Sequence, residues 1–266
     1  MNLQKITAEV NQLVLSVGDY ILKEREGFDT TIVVEKGLNQ LVSFVDIEAE
    51  KQLVKGLSSI LPEAGFITEE NTVNKPNETL NWIIDPLDGT TNFIHNLPVF
   101  SISIALMQGK DILVGAVYEL GKKDLFAAWQ NGGAWCNGIK IEVSKETMLS
   151  KSLIATGFPY YDFDQMEAYL NTLKYLMKET HGLRRLGSAA VDLAYVACGK
   201  FEGFFEYGLH PWDVAAGCLL VKEAGGFVSD FEGKTDFIFG KTIIAGNTHT
   251  QLELQKLIAK NFLSNH

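Results

Sequence analysis

Cysteine is scarce in this chain of 266 residues, and its pattern excludes two classes of protein. The three cysteines, Cys136, Cys198 and Cys218, are odd in number and lack the spacing of a zinc site or of a disulfide framework. Free cysteine is among the most buried residue types. We therefore expect three free, buried thiols in a reducing compartment, the cytoplasm.

Clusters of lysine and arginine are also missing, and the formal net charge is −10. Surfaces that bind nucleic acid neutralise phosphate with such clusters, so we expect no nucleic-acid partner. An acidic protein can still bind phosphate if cations mediate the contact. No apolar run reaches membrane-spanning length, and Met1–Val10 begins a helical pattern without a basic region ahead of an apolar run. We expect neither a membrane partner nor a secretory signal.

The composition is that of an ordinary globular protein, with 46% apolar and 21% charged residues, and the chain is long enough for one large domain or two lobes. Apolar residues recur every three or four positions from Leu3 to Lys23, which predicts an amphipathic helix. Period-two alternation in Val99–Leu106, followed by further strand patterns, predicts an antiparallel meander. Strands clustered here, with helices before and after, favour layered α+β packing.

The most informative stretch runs from Trp82 to Phe93. Three apolar residues, typical of a buried strand, give way to Asp85-Pro86-Leu87-Asp88-Gly89 and then to two threonines. Pro86 favours an extended Asp85, and Gly89 allows close approach to a ligand before Thr90 begins a helix. Carboxylates bind hard cations and a helix start binds phosphate, so this turn can hold both parts of a metal-phosphate complex.

Further charged residues stand where regular structure meets a loop, and each has an ordinary structural explanation. Asp46 is placed to cap a helix, Glu69 heads a polar loop, and Asp213 lies in a first helical turn. The strand Gly203–Gly208 contains one acid, Glu206. Lys36 ends the strand Thr30–Gly37, where a lone lysine is usually solvated.

Taken together, Asp46, Glu69, Asp85, Asp88 and Asp213 would repel one another unless divalent ions lie between them. Oxygen ligands without histidine or cysteine favour Mg²⁺ over zinc. Several Mg²⁺ ions beside an anion-binding helix end indicate phosphoryl transfer, with water as the acceptor. The spacing does not fit an EF-hand loop, and the chain has neither a nucleotide-binding Gly-Lys-Ser/Thr loop nor a Gly-x-Ser-x-Gly turn.

Three motifs in this order resemble the inositol monophosphatase family of Mg²⁺-dependent, lithium-sensitive phosphatases. They are Glu69-Glu70, Asp85–Phe93 and Trp212–Gly217, and Lys36, Asp46 and Gly187–Ala190 are also in place. The resemblance covers nearly the whole chain. It implies one domain, 1–266, with an αβαβα sandwich as in fructose-1,6-bisphosphatase, an N-terminal lobe of about 1–145, a C-terminal lobe of about 146–266, and a homodimer.

The resemblance also assigns roles to individual residues. Glu69, Asp85 and the Leu87 carbonyl would hold one Mg²⁺, and Asp85, Asp88 and Asp213 a second, with a third, weaker ion near Glu69. A water oriented by Thr90, with Asp46 behind it, would attack phosphorus in line, and Lys36 matches a residue near the metals. The backbone N–H groups of Gly89 and Thr90 would hold phosphate oxygens. The substrate's hydroxyl groups would contact a further set, Asp88, Ala189, Glu206 and Asp213.

The reaction is better defined than its substrate, since Ser43–Asp46 lacks the threonine that commonly precedes this aspartate and the loop after Glu70 is individual. The leading prediction is hydrolysis of a polyol monophosphate, myo-inositol 1-phosphate above all. Within the superfamily, histidinol phosphate, fructose 1,6-bisphosphate and a 3′-phosphoadenosine nucleotide are alternatives. A different class of function, regulatory binding to RNA polymerase or ribosomal machinery, is suspected for some bacterial relatives.

Overall fold

Two β-sheets alternate with three layers of helices in the computed structural model, which describes residues 1–27, 34–37, 40–73, 75–159 and 163–263. For the short hairpin β1 (Val34–Gly37) and β2 (Gln40–Val42), only the backbone is described. Within the described ranges, no helix is long and apolar enough to cross a membrane.

The larger sheet has seven strands in the order in which they occur in the chain. They are β3 (Gly65–Thr68), β4 (Leu80–Asp88), β5 (Ser101–Gln108), β6 (Asp111–Glu119), β7 (Asp124–Trp129), β8 (Ala134–Cys136) and β9 (Ile139–Ile141). Strand β3 pairs in parallel with β4, and each later neighbour pairs antiparallel. The predicted meander is confirmed, and β3 lies beside the strand that carries Asp85.

The smaller sheet has five strands in the order β11-β10-β12-β14-β13. Their bounds are β10 (Leu153–Thr156), β11 (Gly182–Arg184), β12 (Gly203–Tyr207), β13 (Phe227–Ser229) and β14 (Thr242–Gly246). Strand β10 is parallel to both neighbours, whereas β14 is antiparallel to β12 and β13. The carboxyl ends of β10 and β12 therefore lie at one edge, where Glu206 stands on β12.

Seven α-helices complete the described part of the chain. They are α1 (Leu3–Arg25), α2 (Phe44–Ile60), α3 (Thr90–Ile94), α4 (Met166–Glu179), α5 (Ala189–Ala197), α6 (Pro211–Glu223) and α7 (Thr248–Ile258). A 3₁₀ turn (Leu149–Lys151) precedes β10, and a π-helical turn (Ala259–Leu263) extends α7.

Three hydrophobic cores define the layer order. The first packs α1 and α2 on the outer face of the larger sheet through residues such as Val14, Leu53 and Trp82. The second places α5 and α6 between the two sheets, and the third packs α4 and α7 on the far face of the smaller sheet. The order α-β-α-β-α confirms the predicted α+β sandwich, and the division into lobes near residue 145 stays a prediction.

The middle layer brings backbones close together because small residues line it. All nine residues of α5 are buried, as are the eight from Val214 to Val221 in α6. A Cβ added at Gly115 on β6 would come within 2.9 Å of the Ala216 carbonyl oxygen. A helix that is apolar on all sides is a buried helix, so α5 and α6 carry their first turns into the interior between the sheets.

Several local expectations were wrong. Asp46 is not the N-cap of α2, since Ser43 takes that position and Asp46 is the third helical residue of a capping box. Strand β4 does not end at Asp85 but continues to Asp88, and the short edge strands β11 and β13 were not foreseen. Cys218 is buried, but Cys136 and Cys198 are partly exposed. Residues 30–33 of the predicted strand Thr30–Gly37 lie outside the described ranges.

Candidate active site

A β-bulge in β4 turns two carboxylates toward the middle layer. Asp85 and Asp88 are three residues apart, yet they pair with Ser103 and Ser101, which are two residues apart on β5. Ile84 and Leu87 both pack in the outer core, so the residues that follow them both point inward. One extra residue in the strand therefore places Asp85 and Asp88 on the same face, which strict alternation would not do.

Gly89 makes the turn that follows the bulge. It has φ 93°, in the left-handed region, and precedes the five-residue helix α3. A Cβ at this position would lie 3.0 Å from the Val99 carbonyl oxygen and 3.2 Å from that of Gly187. Glycine is required here by both conformation and space. The predicted helix start at Thr90 is confirmed.

Thr90 connects the turn to helix α2. Its hydroxyl oxygen lies 3.1 Å from Oδ1 of Asp46 and 3.0 Å from the Leu87 carbonyl oxygen, so its single proton is shared between two acceptors. The other oxygen of Asp46 accepts from the backbone N–H and the hydroxyl of Ser43. Burial raises the pKa of Asp46, although the Ser43 and Thr90 hydrogen bonds oppose the rise.

Glu69 approaches Asp85 from the end of β3. Its backbone N–H donates to the Ile84 carbonyl oxygen at 3.2 Å, which continues the parallel pairing beyond β3, and its carboxyl group hydrogen bonds to that of Asp85. Two carboxyl groups share such a bond only if one carries a proton. Burial raises the pKa of both groups well above the usual range. The charges of Glu69, Asp88 and Asp213 raise the pKa of Asp85 further, and the charge of Asp213 raises that of Glu69.

Glu50 supports this loop and was missed by sequence reasoning. It is fully buried in α2, and its two carboxylate oxygens accept from the backbone N–H groups of Glu70 and Thr72, each at 2.8 Å. The Thr72 hydroxyl adds a third bond at 2.7 Å. The available signal was spacing, since Glu50 lies four residues after Asp46 on the same helix face.

Asp88 links the two sheets. Its Oδ2 accepts from the Ser188 hydroxyl at 2.6 Å and from the Ala190 N–H at 2.8 Å, both at the start of α5. Asn92 makes a parallel connection by donating to the carbonyl oxygens of Val99 and Leu186. Burial raises the pKa of Asp88 to about 6, although the hydrogen bonds from Ser188 and from the backbone of α5, together with the charge of Arg185, oppose the rise.

Asp213 enters from the first turn of α6. Its Oδ2 accepts from the His210 backbone N–H at 2.6 Å, and Pro211 occupies the first helical position, where a missing N–H costs nothing. The predicted place of Asp213 in the first turn of a helix is therefore confirmed. Burial, followed by the charge of Asp88, raises the pKa of Asp213 to about 7.

A cavity of about 500 Å³ opens between the sheets and brings most of the predicted site residues together. Seven of them line it: Glu69, Asp88, Gly89, Thr90, Ala189, Glu206 and Asp213. Asp46 and Asp85, with 1% and 2% of their surface exposed, lie beneath the cavity wall, and Leu87 is buried as well. The side chain of Lys36 lies outside the described part of the structure.

Gly157 gives the Glu206 carboxylate its place in the cavity. A Cβ at Gly157 would come within 2.1 Å of both carboxylate oxygens of Glu206. Two further residues of the cavity, Arg185 and Asp192, were not singled out in the sequence. Asp192 lies in an otherwise apolar helical pattern, and a charged residue in such a pattern is the one sequence feature that could have identified it as a site residue.

The donor chemistry of the acidic cluster suits a hard cation. Four acids, Glu69, Asp85, Asp88 and Asp213, meet where burial raises the pKa of each carboxyl group. Their like charges repel one another when ionised, and a divalent ion bound among them would relieve that repulsion. As the side chains stand, no group of three or more Asp, Glu, His or Cys residues in the described ranges could hold a metal ion.

These features define an α+β sandwich protein with an acidic, ligand-sized cavity between its sheets. The model of the inositol monophosphatase family matches residues 2–265. The chain belongs to this family. The predicted resemblance is therefore confirmed over almost its whole length.

Relatives within the family carry two kinds of name. The chain is 42% identical to an inositol-1-monophosphatase of Mesorhizobium japonicum over 226 residues, 85% of each protein. It is also 42% identical to the Nus factor SuhB of Escherichia coli over 231 residues, 86% of each.

Solved structures with the same fold include relatives at intermediate identity. The extragenic suppressor protein SuhB of Bartonella henselae has a TM-score of 0.90 at 37% identity, covering 98% of this chain and 100% of that one. An IMPase of Thermotoga maritima has a TM-score of 0.85 at 33% identity, covering 94% and 95%. Family membership supports phosphatase activity in general terms, and Mg²⁺ dependence is a general property of the family.

Proposed function

We propose that the protein is a Mg²⁺-dependent phosphatase that hydrolyses the monophosphate of a small polyol, with myo-inositol 1-phosphate as the leading substrate. One observation carries the proposal. The Thr90 hydroxyl lies between Asp46 and the Leu87 carbonyl oxygen, at the wall of a cavity that Glu69, Asp88 and Asp213 also line. This arrangement supports a proton relay through Thr90 and Asp46 beside an acidic cluster that suits cations.

The residues that would hold the ions are those of the acidic cluster. Glu69, Asp85 and the Leu87 carbonyl would bind one Mg²⁺, Asp85, Asp88 and Asp213 a second, and Glu69 would lie near a third. When bound, such ions supply neutralisation of the phosphate charge and a lower pKa for the attacking water. The buried place of Asp85 supports the role of a shared ligand, since the charges of Glu69 and Asp88 both raise its pKa.

Thr90 and Asp46 would activate the nucleophile. When Thr90 donates its proton to Oδ1 of Asp46, its own oxygen is left to accept a hydrogen from a water molecule. That contact orients a water lone pair toward phosphorus, and a proton can pass through Thr90 to Asp46 as the bond to phosphorus forms. The raised pKa of Asp46 makes its carboxylate a better proton acceptor. Lys36 is proposed to stand near the same group.

The phosphate and the alcohol would bind in different parts of the cavity. The first N–H groups of a helix have no partner within it, so those of Gly89 and Thr90 are proposed to hold phosphate oxygens. The substrate's hydroxyl groups would contact Asp88, Ala189, Glu206 and Asp213. Glu206 projects into the cavity against the bare backbone of Gly157, which leaves a carboxylate free to accept from an alcohol.

Family resemblance supports three further properties. We propose a homodimer, inhibition by Li⁺, and a cytoplasmic location, the last because the three cysteines of the chain are free. Sedimentation would measure the first, and a Li⁺ titration of activity the second.

A substrate panel tests the proposed function. Phosphate release would be measured with and without Mg²⁺ and Li⁺ for myo-inositol 1-phosphate, histidinol phosphate, fructose 1,6-bisphosphate and a 3′-phosphoadenosine nucleotide. We expect Mg²⁺-dependent release with the highest kcat/KM for the inositol ester. A large preference for another ester would overturn the substrate, and no release from any of them would overturn the phosphatase.

The second candidate function is that of a Nus factor, since E. coli SuhB carries that name at 42% identity over 86% of this chain. The two functions are separable by one variant. We expect Asp85→Asn to abolish phosphate release. If that variant retains binding to RNA polymerase from the same cell, the chain carries both roles on separate parts of its surface.

A further inference from the structure

Asp192 is a buried acid that the proposed chemistry does not use. It lies in the first turn of α5 with 1% of its surface exposed, and it lines the cavity. Its Oδ1 is buried without a hydrogen-bond partner among the described residues. A buried carboxyl oxygen without a partner costs folding free energy, so this oxygen needs a partner that the described residues do not provide.

The helix geometry directs Asp192 to the side of the cavity proposed for the alcohol. Ala189 and Asp192 are three residues apart on α5, so they share one helix face, and both line the cavity. Ala189 is one of the proposed hydroxyl contacts. After burial, the charges that raise the pKa of Asp192 most are those of Glu206, which is also a proposed hydroxyl contact, and of Asp88.

The surroundings favour a neutral hydrogen-bond donor as the partner. Among the described residues, Arg185 is a cation whose charge opposes the rise in pKa that burial causes at both Asp192 and Glu206. A carboxyl group keeps a hydrogen-bond acceptor whether or not it carries a proton, and neither of these two has a hydrogen bond to another described side chain. Two acceptors that line one cavity match an alcohol that carries at least two hydroxyl groups.

We propose that Asp192 is a specificity-determining residue that accepts a hydrogen bond from a hydroxyl group of the substrate alcohol. The site then selects phosphate esters whose leaving group has at least two further hydroxyl groups, one for Glu206 and one for Asp192. This inference rests on the proposed function. It adds a polar requirement that an ester of a simple alcohol cannot meet.

The test compares two esters in the full-length protein with Mg²⁺. In myo-inositol 1-phosphate the leaving group carries five hydroxyl groups, whereas the leaving group of p-nitrophenyl phosphate has none. Asp192→Ala is expected to lower kcat/KM for the inositol ester by about tenfold to a hundredfold, mainly through KM, because a hydrogen bond to a buried carboxyl group is lost and the substrate hydroxyl is left without a partner. The p-nitrophenyl ester should change by less than about twofold.

Two matched variants control this experiment. Asp192→Asn has nearly the same shape and keeps one acceptor oxygen, so it should fold and should recover part of the lost kcat/KM. Asp111→Asn makes the same chemical change at an exposed position, the start of β6, and should alter neither ester. An equal loss on both esters for Asp192→Ala, or no loss on either, would overturn the inference.

Binding separates this inference from the proposed function. Calorimetry with myo-inositol 1-phosphate and Ca²⁺ measures Kd without requiring turnover. If the wild type binds the ester but releases no phosphate, the phosphatase proposal fails, and weaker binding by Asp192→Ala still supports the role of Asp192. Equal Kd values for wild type and Asp192→Ala, or no binding by the wild type, would overturn it.

Discussion

The Asp88 carboxylate accepts a hydrogen bond from the Ser188 hydroxyl at 2.6 Å, although the two residues are 100 positions apart. Ser188 also caps α5, because its oxygen accepts from the Val191 N–H at 3.3 Å. One side of the acidic cluster is thus ordered by the start of a helix from the other part of the chain. The shape of this side of the cavity therefore depends on how helix α5 packs against the larger sheet.

Ser188→Ala is expected to reduce stability and activity together. The change removes the helix cap and leaves a buried oxygen of Asp88 with one donor fewer, so the free energy of unfolding should fall by about 1–3 kcal/mol. Urea unfolding measures the loss. Ser59→Ala, at an exposed position of α2, is the matched control and should change stability by less than about 0.5 kcal/mol. Equal stability of both variants would contradict the linkage.

Thr90→Ala is expected to lower kcat by about a hundredfold to ten-thousandfold, because it removes the only hydroxyl that contacts Asp46 and the Leu87 carbonyl together among the described residues. Thr90→Ser keeps the hydroxyl and should stay within about tenfold of wild type. Thr147→Ala serves as the control at an exposed position. The relay would be refuted if the alanine and serine variants had similar kcat values.

The metal-free protein should lose stability as pH rises from about 4 to about 7. The pKa of Asp213 is 3.8 in the unfolded reference and about 7 in the folded chain, so in this window the folded state holds a proton that the unfolded state releases. The asparagine of Asp213→Asn does not titrate, so the free energy of unfolding of this variant should fall less steeply. We expect its loss across the window to be smaller than that of the wild type by on the order of 2 kcal/mol. Urea unfolding in EDTA would measure both slopes, and Mg²⁺ should reduce the wild-type loss. Parallel slopes for the two proteins would rule this out.

Gly157→Ala should weaken polyol binding without abolishing catalysis. The new Cβ would overlap the Glu206 carboxylate, which is the mobile end of a side chain and would move aside. KM for myo-inositol 1-phosphate should rise by about tenfold, while kcat for p-nitrophenyl phosphate stays near wild type. Gly27→Ala, where an added Cβ meets nothing within 4 Å, is the control. A change in kcat for both esters would instead indicate a wider distortion of the cavity.

Turn-forming residues made the central turn predictable from the local sequence. Pro86 and Gly89 stand between an apolar run and two threonines, and the structure places a bulge, a left-handed glycine and a helix start there. The same reading failed at Ser43 and Asp46, because serine and aspartate are both good caps and only the packed structure shows which one takes that position.

Local sequence patterns could not predict the contacts between residues that lie far apart in the chain. The Asp88–Ser188 bond, the Glu50 carboxylate under the Glu69 loop and the place of Asp192 in the cavity depend on how sheets and helices dock. A helix buried on all sides gives an apolar pattern with no preferred face, so α5 offered no direction in which to place its acid. Family resemblance supplied Glu206 and Ala189, and local sequence alone did not.

Asp85→Asn provides the most direct test of the central claim that this acidic cluster binds the ions of a phosphatase. Asparagine keeps the acceptor for the Leu87 N–H but removes the charge that two ions would share. Phosphate release from myo-inositol 1-phosphate would be measured over a range of Mg²⁺ concentrations, with Asp111→Asn as the exposed control. We predict a fall in kcat of about a thousandfold or more that Mg²⁺ does not restore. Activity of Asp85→Asn within about tenfold of wild type would contradict the account.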